Sequence, residues 1–544
     1  MTYMEGIWAK ILFSLLGNLS GTKIVEYRFN NSGANQKDKI SDYSAEDSFE
    51  SFTSIIPMIK KFQPDAVILV LPDSFLNKLP IDLYQSANYL ELERHLLDDI
   101  KNAKNRNLKE DRNTFELIKE TNNGKEPKIV VVPAIGAYKD RNQNYSLTLK
   151  STTENILSEM SYKIWVEILG YVKSFINDEN DENLTLYLDL THGVNYQQFF
   201  LNRAVRDIAR ILSLIGSGLQ RKKVFLITST FSPVQENLAA MHIKVEEIDD
   251  VSKIVLTELF ELSRSNGEAK ILNDSRPLRG KFSNENLLNE FTRYSLLGGV
   301  SLSKGFPLHF CYSAIKLDKM RWREILRTIF ETKIDTTKIN SDDSKVEIED
   351  SIRFTPLFYN VLRTLFTMEI LSLIDPGIFK NHIILKSKFD KNGDNGVFVE
   401  FGMIQKIFNI VWNEKNRKTG VARTISNEIS KVLEQIDIAR IENVKKKTES
   451  EGRKYVILDS EFDEEILYSL SNNPSDWLRN FYAHAGLSSE VYTFIKKQDI
   501  LEYSVYKNMS KRYKLYLHPL EYAKANNEKS REDLLRSVIV DVLK

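Results

Sequence analysis

Residues 184–195 read LTLYLDLTHGVN, a run of mostly apolar side chains that ends in a short polar turn. The run from Leu184 to Leu190 is typical of a β-strand that is buried on both faces. After the turn, residues 196–214 carry apolar side chains at helical spacing. Strand, turn and helix in this order form the repeating unit of a parallel α/β sheet. The stretch therefore predicts such a sheet, with the polar turn at the carboxyl end of one strand.

Other apolar runs repeat this pattern through the first half of the chain. Between them lie segments with helical spacing, at residues 51–62, 90–118 and 151–175. The further strand-like runs are residues 11–16, 66–71, 128–132 and 223–228. Because such runs alternate with helices, we expect a Rossmann-like domain over residues 1–248, with a largely parallel sheet covered on both faces.

Two polar turns follow strands of this predicted sheet. Ligands of such sheets bind beyond the carboxyl ends of strands, where the strand order switches. Each turn combines a glycine with short polar side chains, and the second leads into a helix N-terminus, which favours anions. The candidate binding residues are Gly17, Asn18, Ser20, Thr191, His192, Gly193 and Asn195. In the alternative interpretation, Asp189 and Thr191 cap the helix and His192 is an ordinary turn histidine.

Neither turn matches the glycine patterns of the common nucleotide sites. No G-x-G-x-x-G follows the first strand, and the G-x-x-x-x-G-K-[ST] phosphate loop is absent. Those patterns place backbone N–H groups around the phosphates of dinucleotides and nucleoside triphosphates. A dinucleotide cofactor and an ordinary ATPase site are therefore not expected.

The second half of the chain is predicted to be mainly helical. Strands are expected to stop near Ile248, and residues 249–350 to form a helical connector with a polar, charge-rich linker at 335–349. Residues 351–544 are expected to form an α-helical domain with a small β-containing insertion at 444–458. The overall prediction is an α/β domain followed by an all-α domain.

Residues 476–486 place an arginine and a histidine on one short amphipathic segment of that second domain. Arg479 supplies a permanent cation for a phosphate, and His484 titrates near neutral pH. RNA cleavage without a metal needs a base for the ribose 2′-hydroxyl, an acid for the leaving oxygen and a cation for the phosphorane. Arg479, Asn480 and His484 are therefore the candidate catalytic residues. The alternative is a buried histidine beside a neighbouring helix, with the arginine in a surface ion pair.

The composition narrows the class of protein. Lysine plus arginine and aspartate plus glutamate both number 75, so the net charge is zero and nucleic acid must bind through a local patch. The single cysteine, Cys311, excludes a disulfide framework and a four-cysteine zinc cluster. No apolar run reaches the ~20 residues of a membrane span, and residues 1–13 lack a signal-peptide pattern. We expect a cytoplasmic protein that contacts no membrane.

The segment 188–195 resembles the D-x-T-H-G-x-N segment of CRISPR-associated Rossmann-fold (CARF) domains. Residues 133–138 and 232–234 are similar to further segments of the Csx branch, and residues 305–308 are similar to a turn just past its sensor domain. The resemblance implies a sensor of cyclic oligoadenylates in type III CRISPR immunity. By resemblance alone, the expected activator is cyclic tetra-adenylate.

Residues 479–484 resemble the signature of HEPN ribonucleases, which is an arginine, a polar residue and then a histidine. A sensor followed by a nuclease is the order of the CARF–HEPN ribonucleases of the Csx branch. The resemblance implies a metal-independent endoribonuclease for single-stranded RNA, whose 2′-hydroxyl attack leaves a 2′,3′-cyclic phosphate. It also implies a homodimer, or a higher homo-oligomer built from dimers, with composite sites. No cofactor is implied besides the allosteric activator.

By the same resemblance, Arg479 holds the scissile phosphate, His484 is the acid or base, and Asn480 orients the ribose or the histidine. Two other functions fit the sequence. In the first, the CARF domain is a ligand-binding regulator, and the helical domain serves dimerisation or nucleic-acid binding without catalysis. In the second, the CARF domain also degrades its own cyclic oligoadenylate. The arginine–histidine pair favours the ribonuclease over the first, because a binding module needs no histidine there.

Overall fold

The structure is a computed structural model in which the chain divides into two compact units. The described residues are 8–16, 25–30, 48–51, 53–102, 113–139, 143–179, 183–190, 195–219, 221–233, 240–250, 270–282, 286–380, 382–386, 395–412, 464–467, 492–498 and 513–519. The first unit comprises Met1–Ile254, Ile271–Phe282 and Leu326–Leu362. The second comprises Val255–Lys270, Ser283–Ile325 and Arg363–Lys544.

The first unit is built around an eight-stranded sheet, whose strands are numbered below together with those of two smaller sheets. The strands of the chain are β1 (Trp8–Leu15), β2 (Val25–Asn30), β3 (Ser48–Ser51), β4 (Ala66–Pro72), β5 (Lys128–Val132), β6 (Gly136–Tyr138), β7 (Ser146–Lys150), β8 (Asn183–Asp189), β9 (Lys223–Pro233), β10 (Ala240–Asp250), β11 (Lys338–Ser341), β12 (Lys345–Glu349), β13 (His382–Lys386), β14 (Asn395–Glu400), β15 (Glu464–Leu467), β16 (Tyr492–Gln498) and β17 (Tyr513–Pro519). The sheet has the order β3-β2-β10-β9-β8-β1-β4-β5. Its strands β9, β8, β1, β4 and β5 are parallel, whereas β10 is antiparallel to β9. The predicted Rossmann-like sheet is therefore confirmed.

Helices cover this sheet. They are α1 (Ile55–Phe62), α2 (Ile81–Ser86), α3 (Tyr89–Asn102), α4 (Thr114–Thr121), α5 (Thr153–Asn177) and α6 (Asn195–Gly218), with a short 3-10 helix at Asp73–Lys78. Leu12, Val67 and Leu69 of the strands share a core with Ile59 of α1 and Leu92 of α3. Helices α5 and α6 pack against each other, and both contact strands of the sheet. Every residue of β4 is buried, so both faces are shielded from water.

A second sheet of four strands, in the order β11-β12-β7-β6, also belongs to the first unit. Strand β12 pairs in parallel with β7, and Val346 lies opposite Leu147. Val346 and Ile348 are buried in the same core as α1 and α3. The prediction of a linker at 335–349 is therefore wrong. The segment contains the strands β11 and β12, and alternate apolar residues give β12 one buried face.

The second unit consists mainly of helices. The described helices after residue 286 are α7 (Leu287–Lys304), α8 (Pro307–Lys319), α9 (Trp322–Asp335), α10 (Pro356–Ile374) and α11 (Phe401–Val411). Most of α9 and the first seven residues of α10 fall in the first unit, as does a 3-10 helix at Arg276–Leu278. A third sheet has the order β13-β14-β17-β16-β15. The prediction that strands stop near Ile248 is therefore wrong. The predicted order, an α/β part and then a mainly helical part with some β-structure, is confirmed, and the predicted insertion at 444–458 lies outside the described residues.

Two glycines bring three helices of the second unit close together. A Cβ atom on Gly298 of α7 would lie 2.9 Å from Cγ2 of Thr364 on α10 and 3.1 Å from Oγ of Ser313 on α8. A Cβ atom on Gly299 would lie 2.9 Å from Oγ1 of Thr364. Real Cβ atoms essentially never approach so closely. The helices can lie this close together because glycine has no Cβ atom at these two positions.

Helix α10 is also the most apolar long helix of the described chain. It is long and apolar enough to cross a membrane, with a mean hydropathy of 1.4 over its 18-residue window. Within the protein, 83% of that window is buried. A core helix of a soluble protein has these same properties.

Candidate functional site

Strands β1 and β8 lie side by side within the large sheet, and Ser14 is opposite Asp189. From β1 the parallel strands continue on one side as β4 and β5, and from β8 they continue on the other side as β9. The strand order therefore switches between β1 and β8. Ligands of α/β sheets bind beyond the carboxyl ends of strands at such a switch. The two polar turns singled out in the sequence follow these two strands.

Backbone hydrogen bonds extend both strands up to the start of the turns. The N–H of Leu16 donates to the carbonyl of Val70 at 2.8 Å, and the N–H of Leu190 donates to the carbonyl of Ser229 at 3.1 Å. Leu16 and Leu190 are the last described residues before the two turns. The two strands thus end at neighbouring points of the sheet.

A buried carboxylate joins the two strands at these points. The hydroxyl of Ser14 donates to Oδ2 of Asp189 at 2.8 Å, and the hydroxyl of Ser54 donates to the same atom at 2.7 Å. All three side chains are fully buried. Ser54 is the N-cap residue of α1, but its hydroxyl bonds Asp189 and does not cap the helix. The sequence interpretation considered Asp189 only as a cap of α6, because its serine partners lie 175 and 135 residues away.

Tyrosine hydroxyls connect the first turn of α6 to the loop after β5. The hydroxyls of Tyr138 and Tyr196 lie 2.9 Å apart, and the N–H of Ile135 donates to the Tyr196 hydroxyl at 3.3 Å. Burial and the hydrogen bond with Tyr196 raise the pKa of Tyr138, which is therefore a neutral hydroxyl at neutral pH. Phe199, one turn further along α6, is 61% exposed. The start of α6 thus carries the Tyr196 hydroxyl and an exposed aromatic ring, and β6 contributes the second hydroxyl.

Asp73 joins the neighbouring strands β4 and β5 in a similar way. Its Oδ1 accepts the N–H of Ala134 at 2.7 Å, and its Oδ2 accepts the hydroxyl of Tyr89 at 2.8 Å. Burial raises the pKa of Asp73 well above its usual range, although both hydrogen bonds act to lower it. Two buried acids therefore each join the carboxyl ends of one pair of adjacent strands, β8 with β1 and β4 with β5.

Comparison with known proteins places this sheet in a family. The family described as the CARF domain of the CRISPR system endoribonuclease Csx1 matches residues 11–232. Residues 11–232 thus match a Csx1-type CARF domain. The match begins in β1 and ends in β9, so it spans all five parallel strands and both polar turns. The resemblance seen in the sequence is confirmed for this domain.

Similarity to one relative extends beyond the CARF domain. The CRISPR system endoribonuclease Csx1 of Methanocaldococcus jannaschii is 22% identical over 462 residues, which are 80% of this chain and 83% of the relative. Among solved structures, Enterococcus italicus Csm6 bound to cyclic hexa-2′-fluoro-hexa-dAMP is 12% identical, and the match covers 89% of this chain and 92% of that one. Its TM-score of 0.20 does not establish a shared fold.

Among the predicted binding residues, Asn195 is the first residue of α6. The predicted binding residues that lie outside the described residues are Gly17, Asn18, Ser20, Thr191, His192 and Gly193. Their described neighbours put residues 17–24 directly after the end of β1, and residues 191–194 between β8 and α6. The assignment of individual binding residues stays a prediction.

The predicted nuclease residues Arg479, Asn480 and His484 also lie outside the described residues. They belong to the connection between β15 and β16, which pair with each other antiparallel. Their catalytic roles stay a prediction. Within the described ranges, no group of three or more histidine, cysteine, aspartate or glutamate side chains is placed to hold a metal ion.

Proposed function

We propose that this chain is an endoribonuclease of type III CRISPR antiviral defence that is activated by a cyclic oligoadenylate. The observation that carries the proposal is the Csx1-type CARF domain, whose two polar turns leave β1 and β8 at the switch in strand order. In this proposal residues 1–248 are the sensor and residues 351–544 a HEPN nuclease domain. Residues 249–350 connect the two and also contribute β11 and β12 to the first unit. The protein is cytoplasmic, and its substrate is single-stranded RNA.

The chemistry of the sensor turns suits a ring of adenylates. Residues 191–194 lead into α6, and the free N–H groups and dipole of a helix N-terminus favour an anionic phosphate. The short polar side chains of Asn18, Ser20 and Thr191 suit ribose hydroxyls and phosphates. Gly17 and Gly193 allow a close approach of the ligand to the backbone. We propose cyclic tetra-adenylate as the activator.

The proposed nuclease site uses three side chains and no metal. His484 takes the proton of the ribose 2′-hydroxyl or gives a proton to the leaving 5′-oxygen. Arg479 holds the scissile phosphate and stabilises the charge that develops on it. Asn480 orients the ribose or the histidine. The 2′-oxygen displaces the 5′-oxygen, so the products end in a 2′,3′-cyclic phosphate and a 5′-hydroxyl.

Two chains are proposed to form one nuclease site. Of the seven histidines in the chain, His484 is the one that shares a motif with Arg479. The reaction needs an acid and a base, and a twofold axis brings two arginines and two histidines to one phosphate. A symmetric ring can bind on the same axis, between two copies of the Thr191 turn. Ring binding then favours the arrangement of chains that pairs the two His484 side chains.

The chemistry is tested with purified protein, saturating cyclic tetra-adenylate and EDTA. The wild type should cleave single-stranded RNA and leave 2′,3′-cyclic phosphate ends. Arg479→Ala and His484→Ala should each lower the rate by about 10²-fold or more, because each removes one part of the transition-state stabilisation. The matched control is His95→Ala, an exposed histidine on α3, which should cleave at the wild-type rate.

Other outcomes lead to other functions. Dependence on magnesium or manganese, with 5′-phosphate products, would contradict the metal-free mechanism. Full activity of His484→Ala would remove the catalytic role from this motif. A wild type that binds the ring but cleaves no RNA would be a regulator with a non-catalytic helical domain. Loss of the intact ring, followed by chromatography, would show that the CARF domain degrades its activator.

A further inference from the structure

The contact between Asp189, Ser14 and Ser54 lies at the switch in strand order, directly behind both candidate binding turns. Ser14 is three residues before Gly17, and Asp189 is two residues before Thr191. The two serine hydroxyls donate to one carboxylate oxygen, at 2.8 Å and 2.7 Å. The contact therefore fixes the last residues of β1 and β8 relative to each other before the chain enters the turns.

Asp189 is shielded from solvent. The exposed fraction of its side chain is 0%, and the same is true of Ser14 and Ser54. A charged group in such a place is costly unless hydrogen bonds compensate its desolvation. Hydrogen bonds to a charged acceptor are shorter and stronger than neutral ones, so the carboxylate gives a firmer contact than a neutral side chain of the same size.

A comparison along β8 shows that this contact is local to the carboxyl end of the strand. Thr185 lies four residues earlier on the same face of β8, because successive side chains of a strand alternate between faces. It is also fully buried, and its hydroxyl has no hydrogen-bond partner among the described residues. Burial alone therefore does not produce the contact. It occurs where β1 and β8 end and the binding turns begin.

We propose that Asp189 is a positioning residue for the activator. Its carboxylate holds the ends of β1 and β8 and the start of α1 together, and so fixes the two neighbouring points from which residues 17–24 and residues 191–194 continue. The proposal rests on the proposed function, because the ligand is the cyclic oligoadenylate. It predicts that loss of the contact weakens activator binding and leaves the nuclease chemistry unchanged.

The test uses the full chain and five variants. These are Ser14→Ala, Ser54→Ala, the double variant of the two serines, Asp189→Asn and the triple variant. For each, we would measure the dissociation constant for cyclic tetra-adenylate, the ring concentration that gives half-maximal RNA cleavage, the maximal rate and the melting temperature. Asparagine keeps the volume of Asp189 and an oxygen acceptor, so Asp189→Asn should still fold.

Asp189→Asn and the serine double variant should each raise the dissociation constant and the half-activating concentration by about tenfold. Loss of a residue that supports a binding group from behind typically weakens binding by about this factor. The maximal rate should stay within about twofold of the wild type. The triple variant should be no worse than the double variant, because all three side chains act through one contact. The control Thr185→Val should leave the half-activating concentration unchanged, whatever its melting temperature.

Three results would overturn the positioning role while the proposed function stands. They are unchanged ring binding in Asp189→Asn, the same loss of binding in Thr185→Val, or a fall in maximal rate at an unchanged half-activating concentration. If the wild type binds neither cyclic tetra-adenylate nor cyclic hexa-adenylate, the proposed function fails and the positioning role fails with it.

Discussion

Two buried sites, one in each unit of the chain, differ in the side chains that fill them. In the first unit, Lys333 forms ion pairs with Glu159 and Asp350, and the three side chains are 3%, 4% and 8% exposed. Asp350 also accepts a hydrogen bond from Asn155 at 2.8 Å. In the second unit, the helix crossing at Gly298 is filled by small side chains that carry no charge.

The two sites determine the positions of their helices and strands in different ways. Buried ion pairs and hydrogen bonds have fixed partners and directions, so they specify which groups meet at a strand or helix end. Close packing of small side chains specifies only the distance between helices. A lost partner leaves a buried charge in the first unit, whereas an added methyl group in the second can be relieved in part by a small shift. We therefore expect single substitutions at Lys333 to destabilise the protein more than single substitutions at the Gly298 crossing.

The largest effect on stability is expected for Lys333→Met. Removing the ammonium leaves Glu159 and Asp350 without their cation, and breaking such a buried pair costs about 3–5 kcal/mol. The measurement is hydrogen exchange of peptides from α5, which carries Glu159 and reports opening of the first unit. The control is Arg327→Ala on the same helix, where the side chains of Arg327 and its partner Glu331 are 67% and 65% exposed. Loss of this exposed pair should lower the free energy of unfolding by less than about 1 kcal/mol.

This contribution should also depend on pH. Burial by itself lowers the pKa of Lys333, but Asp350 and Glu159 outweigh it and raise the pKa above the usual 10.5. Because the pKa is higher in the folded state, the stabilisation is complete below pH 10.5 and is lost as the pH rises through the folded value. A Lys333→Met protein no less stable than Arg327→Ala would contradict the contrast between the units.

A smaller effect is expected for Gly298→Ala in the second unit. The new methyl group would lie 2.9 Å from Cγ2 of Thr364, and overpacking of this kind costs about 1–3 kcal/mol. Hydrogen exchange of α7 peptides measures the loss. The control is Gly170→Ala on α5, where a Cβ atom meets nothing within 4 Å, and it should stabilise its helix by about 0.5–1 kcal/mol.

A second substitution tests the assigned cause of that loss. Thr364→Ser removes the Cγ2 atom that the new methyl group would meet, so it should restore part of the stability of Gly298→Ala. If Gly298→Ala behaves like Gly170→Ala, or Thr364→Ser restores nothing, the close crossing is not what determines the stability of this region.

The contrast also explains how much of the fold the sequence predicts. The parallel strands are near-continuous apolar runs, so β1, β4, β5, β8 and β9 are recognisable from local composition. Strand β12 is not, because charged residues alternate with Val346 and Ile348 and the strand that pairs with it lies near residue 148. Lys333 resembles a surface lysine in sequence, and only its distant partners make it a core residue.

The candidate site shows the same limit. Local glycines and polar residues point to the two turns, and local order places them at strand ends. That the two strand ends are neighbours depends on the pairing of Ser14 with Asp189, which no local pattern reveals. The role of Asp189 was missed for the same reason. Sequence thus locates the candidate binding groups, and the sheet determines which of them lie side by side.

The most direct test of the central claim is an activation curve. RNA cleavage would be measured against the concentration of cyclic tetra-adenylate, cyclic hexa-adenylate and linear tetra-adenylate, for the wild type and for Thr191→Ala/His192→Ala. We predict little cleavage without a ring, strong activation by cyclic tetra-adenylate, and a half-activating concentration about tenfold higher or more in the double variant, at the same maximal rate. Cleavage that is equally fast with and without any ring, or an identical curve for the double variant, would contradict the account.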